Sequence, residues 1–242
     1  MAKGFINKIL PFSSVDGPGN RTAIFLQGCN FDCLYCHNPE TINNEWNLKY
    51  NNGSVPTYMS VEDIIEKIHR TRAFISGITV SGGECSLQAK FLIELFKEAH
   101  KLNLTCFIDT NGSIPLNKNE ELVSLIDMSM IDLKAFNTDE HKMLTGVDNS
   151  VVLENINYMA KLNKLYEIRT VIVPDILNNE YNVRMTSSLI ASLNPEIQYK
   201  LIKYRPMGVR LEKIKTSIPN DKYMENLKTI AKNNGCNNVL II

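Results

Sequence analysis

The chain has 242 residues, with 26 basic and 26 acidic side chains, so its formal net charge is zero. A balanced charge gives no overall field that would draw the protein to nucleic acid or to an anionic membrane, and we expect neither as a partner. The first ten residues lack the long apolar core of a signal peptide, and no stretch reaches the roughly 18 apolar residues of a membrane-spanning helix. We therefore expect a cytoplasmic protein. For its oligomeric state we expect a monomer.

Short apolar runs alternate with longer helical runs along the chain. The short runs are rich in Ile, Val and aromatic residues, which is typical of strands buried on both faces. Strands are predicted over residues 22–27, 77–81, 104–109, 128–133, 166–173 and 199–204. The final apolar residues, 239–242, are expected to pack as a tail.

Helical spacing of apolar residues marks the segments between the strands. The first stripe is Val61, Ile64, Ile65 and Ile68, opened by Ser60 as a cap with Asp63 three residues later. A second stripe runs from Leu87 to Ala99, a weaker third from Val151 to Leu162, and a last helix is expected from Tyr223 to Ala231. Repeated strand-then-helix order predicts a parallel α/β sheet or barrel. Six strands would form an incomplete barrel, and the length suits a single domain over residues 1–242.

Three cysteines, Cys29, Cys33 and Cys36, lie within eight residues directly after the first predicted strand. Cytoplasmic thiols stay reduced, so we interpret this cysteine loop (residues 28–38) as a site for one inorganic centre. Structural zinc usually takes four ligands, and the only local fourth candidate, His37, is adjacent to Cys36, which makes shared tetrahedral coordination difficult. Three thiolates without a fourth suit an iron–sulfur cube with one iron open to a small molecule.

The remaining cysteines and histidines have simpler interpretations. Cys85, Cys106 and Cys236 are isolated, and we expect them to be buried as small apolar side chains. The histidines outside the cysteine loop, His69 and His100 and His141, lie in helical patterns, and we expect them at the surface or at helix caps.

Polar residues follow the next three predicted strands. They are Ser81-Gly82-Gly83-Glu84, Asp109-Thr110-Asn111-Gly112, and Asp132 with Lys134. Active sites of parallel α/β folds lie at the carboxyl ends of the strands, so these groups are functional candidates. Two glycines let a ligand approach the backbone, and Glu84 offers a carboxylate to an ammonium group. Each motif alone also fits a simpler role, a tight turn for Gly-Gly-Glu and a helix cap or turn for Asp109 and Asp132.

These motifs together resemble the radical S-adenosylmethionine (SAM) superfamily. The resemblance rests on Cys-x3-Cys-x2-Cys with Tyr35 before the last cysteine and on Gly82-Gly83-Glu84. Further motifs resemble the activating enzymes of glycyl radical enzymes: Asp16-Gly17-Pro18-Gly19-Asn20-Arg21, Phe25-Leu26-Gln27-Gly28-Cys29, Tyr35-Cys36-His37-Asn38-Pro39, Asp109-Thr110-Asn111-Gly112 and Met130-Ile131-Asp132-Leu133-Lys134. The resemblance runs from about Phe5 to Arg205 and implies a partial (β/α)6 barrel of the radical SAM type.

The resemblance also implies an activity. A [4Fe–4S] cluster on the three cysteines would cleave SAM with one electron from reduced flavodoxin or ferredoxin. The resulting 5′-deoxyadenosyl radical would take the Cα hydrogen of a glycine in a partner, pyruvate formate-lyase or a related glycyl radical enzyme. Open iron coordination implies oxygen sensitivity and an anaerobic metabolism.

Roles for individual residues follow from the same resemblance. Gly82, Gly83 and Glu84 would hold the SAM amino group, Lys134 its carboxylate, and Tyr35 and the segment around Val171 its adenine. Further SAM contacts are expected from His37, Asn38, Asp109, Arg169 and Arg205. A monovalent cation, Na⁺ or K⁺, would lie on Asp109, Thr110, Met130 and Asp132, whose oxygens suit a hard ion. Asp16 would contact the glycine loop of the partner.

Two departures from the family pattern are visible. Arg205 follows Tyr204 where the pattern has a histidine near the SAM ribose, which adds a fixed charge and puts the identity of the partner in doubt. Residues 40–59 contain no cysteine where many activating enzymes insert a ferredoxin-like segment, so we expect a single cluster. Two other classes remain open, a radical SAM enzyme acting on a small molecule and a zinc-stabilised binding module.

Overall fold

The computed structural model of the chain describes residues 2–42 and 55–242. The predicted absence of an insert concerns residues 40–59, of which residues 43–54 lie outside the described part. The described residues form nine β-strands: β1 Lys3–Ser13, β2 Arg21–Leu26, β3 Thr57–Ser60, β4 Gly77–Gly82, β5 Thr105–Thr110, β6 Met128–Asp132, β7 Leu165–Ile172, β8 Gln198–Lys203 and β9 Val239–Ile241. They also form seven α-helices: α1 Val61–His69, α2 Ala89–Lys101, α3 Glu120–Leu125, α4 Thr138–Thr145, α5 Ser150–Lys161, α6 Asn179–Leu193 and α7 Asp221–Asn233.

The chain divides into two compact units. The first holds the described residues of Met1–Asn30, Glu40–Thr110 and Ile114–Met130, and the second holds Phe31–Pro39, Asn111–Ser113 and Ile131–Ile242. Cys29 therefore belongs to the first unit, whereas Cys33 and Cys36 belong to the second.

In the first unit the strand order is β3-β1-β2-β4-β5. β1 pairs antiparallel with β2 and β3, whereas β2 and β4 pair in parallel from Arg21 opposite Gly77 to Leu26 opposite Gly82. β4 and β5 are also parallel. The carboxyl ends of β2, β4 and β5 therefore lie at one edge, where the cysteine loop begins and where Gly-Gly-Glu and Asp109 follow.

In the second unit β7 pairs in parallel with β8, and β8 with β9. All six predicted strands are present with ends within one residue of the prediction, which confirms the parallel α/β pattern. β1, β3 and β9 were not predicted as strands. The segment expected to be an apolar tail is β9, because its backbone completes the ladder of β8.

The helices bury the faces that their apolar spacing indicated. Ser60 caps α1 and forms a capping box with Asp63, as predicted, and Val61, Ile64 and Ile68 are buried. Two residues at the ends of predicted stripes differ from expectation. Leu87 is 46% exposed because it precedes α2, and Leu162 is 41% exposed because it follows the last turn of α5.

The isolated cysteines are buried as predicted, and burial raises the pKa of Cys85 and Cys106. The expectation for His141 was wrong, because this side chain is fully buried in α4. Its Nδ1 lies 2.8 Å from the Val147 carbonyl oxygen, and its ring packs edge-to-face on Phe31. Among the described residues no helix is long and apolar enough to cross a membrane.

Candidate active site at the strand ends

The cysteine loop begins where β2 ends. Gly28 has a φ of +104°, which favours glycine, and its N–H donates to the Thr41 carbonyl over 2.9 Å. The next amide, that of Cys29, donates to the Ile42 carbonyl over 3.1 Å. Backbone contacts thus fix the point at which the first cysteine leaves the sheet.

In the second unit the loop makes a tight turn, since the Cys36 N–H donates to the Cys33 carbonyl over 3.1 Å. Cys33 is buried and Cys36 is partly exposed. The amide of Leu34 donates to the Leu144 carbonyl over 2.9 Å, at the end of α4. The thiols of Cys33 and Cys36 therefore lie on a loop whose backbone is hydrogen-bonded to α4.

Tyr35 is buried in an apolar cluster of the second unit. Its neighbours there include Val173 and Tyr204, and Val171 packs against the same cluster. The structure thus brings together the two residues that the resemblance assigns to adenine. The Tyr35 hydroxyl is buried without a hydrogen-bond partner among the described residues, and burial raises its pKa. An orphaned hydroxyl in an apolar setting is a group that a polar ligand atom would satisfy.

Lys134 and Asp132 form an ion pair at the end of β6. The Lys134 Nζ lies 2.6 Å from Asp132 Oδ2, and the side chains are 13% and 25% exposed. Burial acts to lower the pKa of Lys134, but the Asp132 carboxylate outweighs it and holds the pKa well above its usual range. The ammonium also lies 5.8 Å from the centre of the Tyr35 ring. A cation held near the Tyr35 ring suits an anionic or zwitterionic ligand.

The Gly-Gly-Glu segment follows β4 in the first unit. Gly82 has a φ of +122°, and a Cβ on Gly83 would stand 2.1 Å from the Gly28 carbonyl oxygen, so the two segments touch through their backbones. Glu84 is fully buried. Its Oε1 accepts hydrogen bonds from the Ser86 N–H, the Ser86 hydroxyl and the Thr110 hydroxyl, at 3.0, 2.6 and 2.6 Å. These three hydrogen bonds therefore hold the Glu84 carboxylate in a fixed position.

The residues expected to bind a cation lie at the ends of β5 and β6. The Asp109 carboxylate accepts from the Ser81 hydroxyl over 2.9 Å, and Thr110 is buried against Glu84. Met130 is also buried. Asp109 and Asp132 are strand residues and cap none of the helices formed by residues 2–42 and 55–242, so the helix-cap alternative does not apply.

The remaining predicted SAM contacts lie in the second unit. Arg169 is held by the buried carboxylate of Glu167, which also pairs with Lys200 over 2.8 Å. Burial lowers the pKa of His37, and the charges of Lys134 and Arg205 lower it further. A neutral imidazole is therefore favoured there. Asn38 and Arg205 are exposed.

Asp16 lies in the turn before β2, where the Ser13 hydroxyl donates to its carboxylate over 2.5 Å. The turn is anchored by Arg21, which is 1% exposed. Arg21 Nε donates to the Thr79 hydroxyl over 2.8 Å, and this hydroxyl donates to the Asp16 carbonyl over 2.5 Å. The guanidinium also lies 4.0 Å from the centre of the Phe107 ring. The turn that carries Asp16 is thus tied to the sheet.

Comparison with known proteins decides the family. The family model described as the radical SAM superfamily matches residues 23–183 of the chain. The chain belongs to the radical SAM superfamily.

Similar proteins of known name show which family within the superfamily the chain belongs to. A pyruvate formate-lyase-activating enzyme of Streptococcus mutans is 34% identical over 85% of this chain and 79% of its own length. A Haemophilus influenzae protein named as a glycyl-radical enzyme activating enzyme is 31% identical, over 98% of this chain and 96% of its own length. The Escherichia coli pyruvate formate-lyase 1-activating enzyme is 33% identical over 85% and 82%. This radical SAM protein is thus a member of the family of glycyl radical enzyme activating enzymes.

Solved structures support the fold. A domain of a Bacteroides vulgatus pyruvate-formate lyase-activating enzyme matches with a TM-score of 0.60 at 24% identity, covering 69% of this chain and 99% of that one. Streptococcus suis SuiB bound to S-adenosylmethionine matches with a TM-score of 0.68 at 13% identity, covering 88% and 48%. The predicted partial barrel of the radical SAM type is confirmed.

The donor set of this radical SAM protein fits an iron–sulfur cluster and SAM. Three cysteine thiols on one short loop are the ligands that such a cluster takes. Within the second unit, the buried Tyr35 hydroxyl and the Lys134 ammonium offer polar groups to such a ligand.

Sequence reasoning missed two contributors. Arg21 was predicted only as part of the Asp-Gly-Pro-Gly-Asn-Arg motif, and its anchoring contacts with Thr79 and the Ile78 carbonyl are distant in sequence. Arg210, which bonds to Asp32 within the cysteine loop, carried no readable signal because the pair is separated by 178 positions.

Proposed function

We propose that this protein generates a glycyl radical on a partner glycyl radical enzyme, pyruvate formate-lyase or a related enzyme. Cys29, Cys33 and Cys36 would hold a [4Fe–4S] cluster, which would supply one electron for cleavage of the SAM C–S bond to methionine and a 5′-deoxyadenosyl radical. That radical would take the Cα hydrogen atom of one partner glycine and leave as 5′-deoxyadenosine. The observation that carries the proposal is the cysteine loop together with the Asp-Gly-Pro-Gly turn, in a chain whose relatives over most of its length are named as activating enzymes.

In this proposal the residues of this chain bind SAM and orient it. Lys134 would offer its ammonium to the SAM carboxylate, and Gly82, Gly83 and Glu84 would hold the SAM amino group. The ion pair of Lys134 with Asp132 and the hydrogen bonds of Glu84 with Ser86 and Thr110 support this arrangement. Tyr35 and Val171 supply the apolar surface for adenine. Further contacts come from His37, Asn38, Asp109, Arg169 and Arg205.

In this proposal a monovalent cation, Na⁺ or K⁺, is bound by oxygens of Asp109, Thr110, Met130 and Asp132. The cation would offset the charge of the two carboxylates, each of which already accepts a hydrogen bond.

The partner surface in this proposal includes Asp16. The Arg21 and Thr79 contacts that tie down its turn support a fixed presentation of the carboxylate. Reduced flavodoxin or ferredoxin is the electron donor, and the protein acts in the cytoplasm as a single domain and a monomer, in anaerobic metabolism.

Anaerobic reconstitution tests the cofactor part of the proposal. The wild-type protein is expected to bind about four irons per chain and, once reduced, to convert SAM to methionine and 5′-deoxyadenosine. Cys33→Ala is expected to abolish both while the protein stays folded, and Cys236→Ala is the matched control, since this buried thiol lies outside the loop. A colourless protein with stoichiometric zinc, or a Cys33→Ala variant that still cleaves SAM, would contradict the proposal.

A further inference from the structure

The cysteine loop is contacted by a segment that follows β8. We name residues 204–214 the brace segment. Within it, the backbone of Gly208 lies against His37, since a Cβ on Gly208 would stand 2.4 Å from the His37 carbonyl oxygen. Gly208 has a φ of +80°, so glycine is required both by conformation and by space.

Two cations of the brace segment converge on one carboxylate of the cysteine loop. Arg210 Nη2 donates to Asp32 Oδ1 over 2.5 Å, and Lys213 Nζ donates to Asp32 Oδ2 over 2.5 Å. The Lys213 N–H donates to the Arg210 carbonyl over 2.9 Å, which keeps the two cations on one turn. Burial acts to raise the pKa of Asp32, but the hydrogen bonds and charges of Lys213 and Arg210 outweigh it and hold the pKa below its usual value.

Arg210 makes a second contact that Lys213 does not. The same Nη2 donates to the Cys33 carbonyl over 3.1 Å, directly on a cysteine of the proposed cluster. The Arg210 side chain is 9% exposed, whereas that of Lys213 is 34% exposed. A buried charge-assisted bond is stronger and less screened than one at the surface.

The rest of the brace segment is anchored in the core. Tyr204, Val209 and Ile214 are buried in the same apolar cluster as Tyr35 of the cysteine loop. Buried residues thus lie on both sides of Arg210 in the sequence, Val209 before it and Ile214 after it. They restrict the movement of the Arg210 backbone and keep the guanidinium near the Cys33 carbonyl.

We propose that Arg210 is a positioning residue, which fixes the conformation of the cysteine loop through Asp32 and the Cys33 carbonyl so that the loop retains and orients its cluster. The inference rests on the cluster assignment made above. Arg210 touches neither SAM nor the cysteine thiols in this role, and it acts through the loop backbone.

Hydrogen exchange of the cluster-free protein gives a test that does not depend on activity. In Arg210→Met the amides of residues 31–36 are expected to exchange about tenfold faster, because two charge-assisted bonds are lost. Lys213→Met is the matched control, and its exchange at the same amides is expected to stay within about twofold of wild type. Equal exchange in wild type, Arg210→Met and Lys213→Met would overturn the proposal.

The reconstituted protein gives the second test. A chelator is expected to remove iron from Arg210→Met about tenfold faster than from wild type, with an EPR signal of the reduced cluster that is broader than in wild type. Arg210→Lys should recover part of the retention, because an ammonium can reach one acceptor but lacks the planar fork of arginine. An unaltered EPR signal and iron loss at the wild-type rate in Arg210→Met would contradict a positioning role.

A further variant covers the case in which Arg210→Met does not fold. Asp32→Ala changes a half-exposed side chain, so we expect this variant to stay folded. It should also speed iron loss, and wild-type retention in Asp32→Ala would count against the proposal. If the wild-type protein itself binds no cluster, the proposed function fails. The hydrogen-exchange experiment would still test whether Arg210 fixes the conformation of the cysteine loop, because it uses the cluster-free protein.

Discussion

The close approach of Gly83 to Gly28 gives a sharp test of how the Gly-Gly-Glu segment and the start of the cysteine loop are joined in the first unit. Replacing Gly83 with alanine would place a Cβ 2.1 Å from the Gly28 carbonyl oxygen, 2.6 Å from its carbonyl carbon and 2.9 Å from the Thr41 carbonyl oxygen. The shortest of these is about 1 Å or more below ordinary contact, and the atoms are backbone, so they cannot swing aside. Either Gly83 or Gly28 must shift.

The expected cost of Gly83→Ala is about 3 kcal/mol, at the upper end for overpacking a rigid site. A shift would also strain the bond from the Glu84 N–H to the Gly28 carbonyl, which is 2.7 Å long, and would displace Cys29. We therefore expect a loss of free energy of unfolding in anaerobic urea titrations and a reduced iron content after reconstitution.

Gly146→Ala is the matched control for this variant. Gly146 has a φ of +88° but nothing within 4 Å of the added Cβ, so its substitution should cost about 1 kcal/mol through backbone strain alone. Iron content in this variant should match wild type. If Gly83→Ala were as stable as Gly146→Ala and bound the full complement of iron, the steric reasoning would be refuted.

Three further variants test single contacts. Lys134→Ala should weaken SAM binding by about tenfold while iron content is unchanged, because the proposed charge partner of the SAM carboxylate is lost. Unaltered affinity in equilibrium binding would refute that role. Tyr35→Phe should raise the free energy of unfolding of the SAM-free protein by about 1 kcal/mol, since it removes a buried hydroxyl without a partner among the described residues; a loss of stability in urea titration would show that the hydroxyl is satisfied. Arg21→Met should lower the free energy of unfolding by about 3 kcal/mol, because buried acceptors such as the Ile78 carbonyl lose their donor. A decrease below about 1 kcal/mol would contradict the anchoring of the Asp16 turn by Arg21.

The strands of the parallel pattern were predictable because each one is a short, continuous apolar run. β1 was not predicted, since Lys3–Ser13 mixes exposed, partly buried and buried positions and contains Pro11. The pairing of β1 with β2 also shows register shifts. Such irregularities disrupt the alternation of apolar and polar residues by which a strand is recognised in a sequence.

The candidate site divides in the same way. Local motifs such as Cys29 to Cys36 and Gly82-Gly83-Glu84 were readable because all their residues are close in sequence. The bond of Arg210 to Asp32 spans 178 positions, and the burial of His141 depends on Phe31 packing on its ring, so neither could be read from spacing. Long-range contacts of this kind are set by the folded backbone rather than by a local pattern.

Glycyl radical formation can be measured by EPR spectroscopy of a partner glycyl radical enzyme after anaerobic incubation with the reduced, reconstituted protein and SAM. We expect a doublet from a glycyl radical on the partner, which collapses to a singlet when the partner carries glycine deuterated at Cα. SAM consumption without an organic radical on pyruvate formate-lyase or any related glycyl radical enzyme would refute the proposed activity and favour a small-molecule substrate.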